Sequence, residues 1–224
     1  MNFENLRVTA IMENNVAASS FLRLDCILSA AKAIDILKEK YYEDEKRAGD
    51  KDLIVKTLSE FLDYSGNVFH ASCGFLNGRK FVTSFSKRWN SSQDELVNFK
   101  GKGKEQIDTA RGFFKSYHSM IQCFSAREIT FYARGDKQEI ERLLQYIKFI
   151  GKKSSQGFGK IKYWKVTTIE NDRSLIYKNK AMRFLPCSEF ENMLNAEEHS
   201  KEIVALIPPA SRKDCREICF VPCK

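Results

Sequence analysis

Residues 128–169 read EITFYARGDKQEIERLLQYIKFIGKKSSQGFGKIKYWKVTTI, and the reading of this stretch decides the fold. Glu128 to Ala133 alternate, with Ile129, Phe131 and Ala133 on one face, which is the period of a half-buried strand. Gly135 ends it. Asp136, followed three residues later by Glu139, is a helix-opening cap, and Ile140, Leu143, Leu144 and Ile147 then recur at helical spacing. A glycine-bounded loop runs from Gly151 to Gly159. Ile161 to Ile169 is β-branched and aromatic enough to return as a strand.

Working outward, Leu6, Val8, Ala10 and Met12 alternate as a strand until Asn14 and Asn15 break it. From Leu24, apolar residues at Ile27, Leu28, Ala31 and Ile34 trace one face of a helix that runs on towards Tyr42. Glu43 to Lys51 reads as an exposed connection, and a second helix is predicted over Leu53 to Leu62. Asn67 to Phe85, broken by Asn77-Gly78, has the pattern of a β-hairpin. Ser86 to about Ser119 is polar and basic, with a short helical pattern after Glu105, and reads as an insertion projecting from the sheet. The order is strand, helix, hairpin strands, helix, strand, so the predicted class is α+β. The predicted core is a ferredoxin-like (RRM-like) βαββαβ unit with a glycine-rich loop after its second helix. The whole chain, 1–224, is expected to form one domain. Its tail, 170–224, carries Pro186, Pro208-Pro209 and Pro222 and is expected to wrap irregularly on the core.

The charge is unevenly placed. The chain has 37 Lys and Arg against 29 Asp and Glu, a formal +8, which suits a polyanionic partner such as nucleic acid or an anionic membrane surface. Residues 79–118 hold nine basic and four acidic side chains, and residues 151–165 hold five lysines and no acid. Two basic islands in an otherwise balanced chain predict one binding surface built from two segments. No run approaches the roughly 20 apolar residues of a membrane span, and the start lacks a signal-peptide layout. The expectation is a cytoplasmic protein without membrane attachment. Seven cysteines without dense, regular spacing are read as reduced thiols.

The loop Gly151-Lys-Lys-Ser-Ser-Gln-Gly-Phe-Gly-Lys160 is the strongest local signal. Its glycines let a nucleic-acid backbone approach main-chain N–H groups, Lys152, Lys153 and Lys160 face phosphates, and Phe158 offers a ring for a base. Ser155, Gln156, Gly157 and Gly159 complete the candidate contact set. An ordinary surface turn is the alternative. A nucleotide-binding P-loop fits poorly, because its spacing and terminal Gly-Lys-Ser/Thr are missing and the loop follows a helix, where a P-loop follows a strand. In the insertion, Lys87, Arg88 and Trp89, then Lys100, Lys102 and Lys104, then Arg111, Lys115 and Tyr117 interleave cations with rings. That pattern suits a single strand, and a solvated charged loop is the bland reading.

His118 is a conceivable base for cleaving RNA at a 2′-hydroxyl, but His70 and His199 lie in other segments, so catalysis is not expected. Cys215, Cys219 and Cys223, with Cys187 upstream, are compatible with zinc by spacing alone. Ile218, Phe220 and Val221 read as a buried strand and Pro222 breaks the geometry, so packed thiols are expected, with no metal and no cofactor.

With these residues in view, the chain resembles the CRISPR-associated RAMP superfamily, and within it the small RAMP subunit of type IV CRISPR effector complexes. The resemblance is carried by Leu6-Arg-Val-Thr-Ala10, Leu24-Asp25, Arg111-Gly112 with Lys115, and Ile129-Thr-Phe-Tyr132 with Gly135-Asp136. The glycine loop and Ile207-Pro-Pro209 with Cys219 and Pro222 complete it, and only the loop is specific by itself. The resemblance implies a ferredoxin-like fold with a thumb at 86–118, non-catalytic binding of the crRNA 5′ handle, and docking on the helical-backbone RAMP subunit. It also implies the large subunit as a neighbour and target DNA reached through the assembled complex, where guide pairing reads sequence. Some relatives are endoribonucleases that mature the crRNA, which is the alternative activity.

Overall fold

The computed structural model describes residues 3–18, 21–38, 50–90, 92, 107–112, 114–194 and 198–223. The chain opens with β1 (Glu4–Met12), the short β2 (Val16–Ala17), helix α1 (Leu24–Leu37) and helix α2 (Lys51–Ser59). A small hairpin, β3 (Tyr64–Ser65) and β4 (Val68–Phe69), precedes the long strands β5 (Phe75–Lys87) and β6 (Tyr117–Gly135). Helix α3 (Lys137–Leu144) and strand β7 (Ile161–Thr168) follow. The tail adds β8 (Ile176–Tyr177), β9 (Lys180–Ala181), β10 (Leu185–Pro186), α4 (Cys187–Phe190), β11 (Lys201–Ala205) and β12 (Arg216–Phe220).

The molecule is α+β with antiparallel sheets. In the main sheet β1 lies between β6 and β7, and both β5 and β2 pair with β6. The register sets Val8 opposite Phe131 and Val166, and Ala10 opposite Ile129 and Trp164. Strand alternation therefore sends Leu6, Val8 and Ala10 to one face. There they share a core with Leu24, Leu28 and Ala31 of α1 and Ile140, Leu143 and Leu144 of α3. Arg7, Thr9 and Ile11 point the other way. The cap expected at Asp136 is present: its Oδ1 accepts from the backbone N–H of Gln138 at 2.9 Å and of Glu139 at 3.2 Å, satisfying two orphan donors of the first turn.

The structure corrects several expectations. Asn77-Gly78 is not a hairpin turn: β5 runs straight through it, with a register shift between Leu76 and Gly78, and pairs with the distant β6. A Cβ at Gly78 would lie 2.1 Å from the carbonyl oxygen of Ser125, so this glycine serves close strand approach at a bulge. The strand expected over Glu128 to Ala133 is the end of a 19-residue strand, and β5–β6 pairing continues out to Lys87 and Tyr117. Of the expected insertion, 86–118, Ser86, Lys87, Tyr117 and His118 lie in these strands. Finally, the tail is not irregular. β10, β12 and β11 form a three-stranded sheet over a second apolar core that includes Val68, Cys73, Phe184, Leu185, Phe190, Leu206 and Phe220. Within it Ile218, expected to be buried, is exposed and faces Ile203 across the pair.

Candidate nucleic-acid interface

The glycine loop is a stitched structure. Ile150 N–H donates to Gly159 O at 2.9 Å, Lys152 N–H to Ala17 O at 2.6 Å, and Gly159 N–H to Asn15 O at 2.8 Å. Asn14 holds the far side: its Oδ1 accepts from Lys160 N–H at 2.9 Å and its Nδ2 donates to Gly157 O. Between these ties Ser154–Gln156 makes one 3₁₀ turn, flanked by Lys153 at φ 62° and Gly157 at φ 85°. Gly159, at φ 72°, has no room for a side chain, since a Cβ there would sit 1.9 Å from Ile150 O. Nothing lies within 4 Å of the corresponding point on Gly157.

This frame presents Lys152, Ser155, Gln156 and Lys160 to solvent. Lys160 pairs with Glu13 at 2.9 Å, so part of its charge is already answered. Lys153 is half-buried, with its ammonium 5.5 Å from the ring centre of Phe85 on β5. Phe158 is also half-buried. It packs on Ala17, Ile121 and Cys123, beside Phe81 and Phe85. The loop thus leans on the β5–β6 hairpin through Lys153 and Phe158, and the two basic islands of the sequence meet in space.

On the hairpin, Phe81, Phe85 and Lys87 of β5 share the loop-facing side with Tyr117, Ile121 and Cys123 of β6. Tyr117 stands 6.0 Å from Phe85, and Trp89 meets Phe114 edge-on at 4.7 Å. Arg88, Arg111 and Lys115 are exposed. Lys100, Lys102 and Lys104 lie outside the described residues. His118 alternates to the opposite side of the hairpin, where its Nδ1 is 2.7 Å from Ser86 Oγ. Two contributors escaped sequence reading. Arg79, counted in the basic island but not among the candidate contacts, is exposed on the same hairpin, and Asn14, by sequence a strand breaker, anchors the loop.

The profile of the family described as CRISPR type IV associated protein Csf3 matches residues 76–209. This chain belongs to the Csf3 family. The match runs from the bulge in β5 through β6, α3, the glycine loop and β7 into the tail, so it spans the hairpin and loop of the candidate interface. A type IV CRISPR-associated role follows for this Csf3-family chain. A search of curated proteins finds no match.

Of the four tail cysteines Cys219 is buried, while Cys187, Cys215 and Cys223 are partly exposed. The Cys219 thiol is pushed up to about 12, first by burial and then by the neighbouring Cys187 and Glu217. Cys73, also buried, is raised to about 12 by the same desolvation. Among the described residues, no three His, Cys, Asp or Glu side chains converge as a metal site. Nor is any helix among them long and apolar enough to cross a membrane.

Proposed function

We propose that this Csf3-family chain is a non-catalytic RNA-binding subunit of a type IV CRISPR ribonucleoprotein, holding the 5′ handle of the guide RNA between its glycine loop and its β5–β6 hairpin. The core is read as ferredoxin-like: β1, α1, β5, β6, α3 and β7 follow the βαββαβ order, with strand order β5-β6-β1-β7. The observation that carries the reading is the seating of Lys153 over Phe85, with Phe158 beside it, which joins two lysine- and arginine-rich segments into one surface. Phosphates would meet Lys152, Arg88, Arg111 and Lys115, while unstacked bases find Trp89 and Tyr117. Phosphate contacts position a strand without reading it, which fits a subunit that holds a constant handle. In this reading the helical-backbone and large subunits are its neighbours and target DNA is met only in the assembled complex.

The alternative is a metal-independent endoribonuclease with His118 as base. The alternation that turns His118 away from the loop-facing side weighs against it. Incubating the purified protein with labelled repeat RNA tests both: tight binding with the RNA left intact is expected, and a specific cut that disappears in His118→Ala would overturn the non-catalytic reading.

A further inference from the structure

Among the described residues no helix packs on one face of the main sheet, and the side chains there form an ordered array. Register places Tyr132, Arg7 and Thr167 in one row, Thr130, Thr9 and Lys165 in the next, and Glu128, Ile11 and Tyr163 in the third. Rows two residues apart on a strand are separated by about 7 Å, so the array spans about 14 Å from Tyr163 to Arg7. Thr9 and Thr130 form a buried floor at 5% exposure each, whereas Tyr163 is 52% exposed and Arg7 and Lys165 are exposed. At the Tyr132 end the Arg173 guanidinium lies 5.7 Å from the ring centre. Among the described residues the Nε of Arg173 is buried with no hydrogen-bond partner.

We propose that this helix-free face is a second platform for single-stranded nucleic acid, with Tyr163 as the stacking ring and Arg7 and Lys165 as phosphate partners. A strand on this face would leave the glycine loop near Lys160 and run along β7, so the platform extends beyond the loop-and-hairpin surface. A plainer account exists for part of it. Lysines on an edge strand discourage edge-to-edge pairing, and β7 is an edge strand bearing Lys162 and Lys165. That account leaves two features unexplained. Tyr163 exposes half of a large ring beside those lysines, and Arg7 stands on the central strand β1, which has no free edge to guard. Aromatic faces flanked by cations at strand spacing are what a single strand needs, because its bases stack without regard to sequence while its phosphates seek charge. Glu128 is the one acidic side chain in the three rows and marks the limit of the platform.

The test uses the full chain and fluorescence anisotropy with a long labelled oligouridine and its deoxy counterpart, the two arms separating RNA from DNA as the ligand. Arg7→Glu with Lys165→Glu is expected to weaken binding about ten-fold and to reduce the salt slope by about 1.4, two contacts at about 0.7 each. Tyr163→Ala is expected to weaken it about five-fold or more, with Tyr163→Phe close to wild type because stacking needs no hydroxyl. Lys165→Gln, a single change on an exposed edge, guards against a double variant that fails to fold. If these variants bind like wild type while Lys152→Glu with Lys153→Glu binds poorly, this platform is wrong and the loop reading stands. If the loop variant is neutral and the face variants are weakened, the platform stands and the loop reading falls. Wild-type protein that binds neither strand at any salt overturns both.

Discussion

Two sets of cations in this chain sit in opposite surroundings. Arg23 and Arg183 are buried around Asp25, which is fully buried: Arg23 Nη2 lies 2.6 Å and Arg183 Nη2 3.2 Å from its Oδ2. Their remaining donors reach backbone carbonyls. Arg23 bonds Ala205 O, and Leu206 O at 2.6 Å, while Arg183 bonds Phe69 O, and Phe184 O at 3.2 Å. The lysines and arginines of the loop and hairpin have no such enclosure and stand over rings or in solvent. Burial alone would lower the Arg23 pKa, yet Asp25 holds it above the ordinary value, while for Arg183 burial wins and the shift is downward. The difference teaches where charge is structural and where it is available. Arginine, with five donors in a fixed fork, ties the core to the tail sheet, whereas Lys152 and Lys160 of the loop stand exposed at the surface.

Breaking the buried set should give the largest effect. Asp25→Asn leaves two buried guanidiniums without a counter-charge, and the expected loss is about 3–5 kcal/mol in denaturant unfolding. A loss below about 1 kcal/mol would show that the carbonyls alone suffice. Burial would raise the Asp25 pKa, but Arg23 and Arg183 depress it below the usual carboxylate range. Its stabilisation is therefore fully present above the unfolded value of about 3.9 and is lost as pH falls through the depressed folded value. Acid unfolding of wild type should show this limb, and Asp25→Asn should lack it.

The next contrast is within the loop. Gly159→Ala forces a Cβ against Ile150 O at a left-handed backbone position, and about 2 kcal/mol or more of stability should be lost along with RNA binding. Gly157→Ala meets no atom and should cost only the left-handed strain, about 1 kcal/mol. Equal melting curves for the two would mean that the loop relaxes freely and is not the rigid frame its hydrogen bonds describe.

How much of this was legible follows from how local each feature is. The Asp136 cap, the α3 face from Ile140 to Leu144 and the glycine loop depend on neighbours in sequence, and they appear where the residues put them, while α3 stops short of Ile147. The β5–β6 pairing does not: Asn77-Gly78 has the chemistry of a turn, and only the approach of Ser125, 47 positions away in sequence, makes it a bulge. The tail sheet was hidden because four prolines dominate a stretch whose strands are two to five residues long. Arg183 could not be read as structural because its partners, Asp25 and Phe69, come from the other end of the chain. For the interface, charge clustering identified both islands, whereas the inward lean of Phe158 depends on Ile121 and Cys123.

The exposed cations give the third effect. Lys152→Glu with Lys153→Glu should weaken RNA binding ten-fold to a hundred-fold, about 1.4–2.8 kcal/mol, and nearly equally for handle and scrambled sequences. Stability should move by only about 0.5 kcal/mol, or slightly more because the Lys153 ammonium stands over the Phe85 ring. For wild type, five to seven phosphate contacts predict a log–log salt slope of roughly −3.5 to −5. Unchanged affinity in the double variant, with the fold intact, would remove this loop from the RNA site.

The smallest effect should also be the most discriminating. Glu13 is an acid beside the loop, paired with Lys160 at 2.9 Å, and both side chains are about half exposed. Exposed pairs of this kind contribute little to folding, so Glu13→Gln should shift stability by no more than about 0.5 kcal/mol. Its backbone N–H to Lys160 O at 2.9 Å is untouched by the change, and the loop stays anchored. For RNA the consequence has the opposite sign from every other substitution here. Removing the carboxylate frees Lys160 and takes a negative charge from the phosphate path, so affinity should rise, by about two- to five-fold at low salt, with the gain fading as salt screens it. A structural pair in a region that no phosphate visits would give no gain at any ionic strength, and a loss of affinity would mean that Glu13 orients Lys160 for its contact. Anisotropy titrations of wild type, Glu13→Gln and Lys160→Gln across a salt series separate these three outcomes.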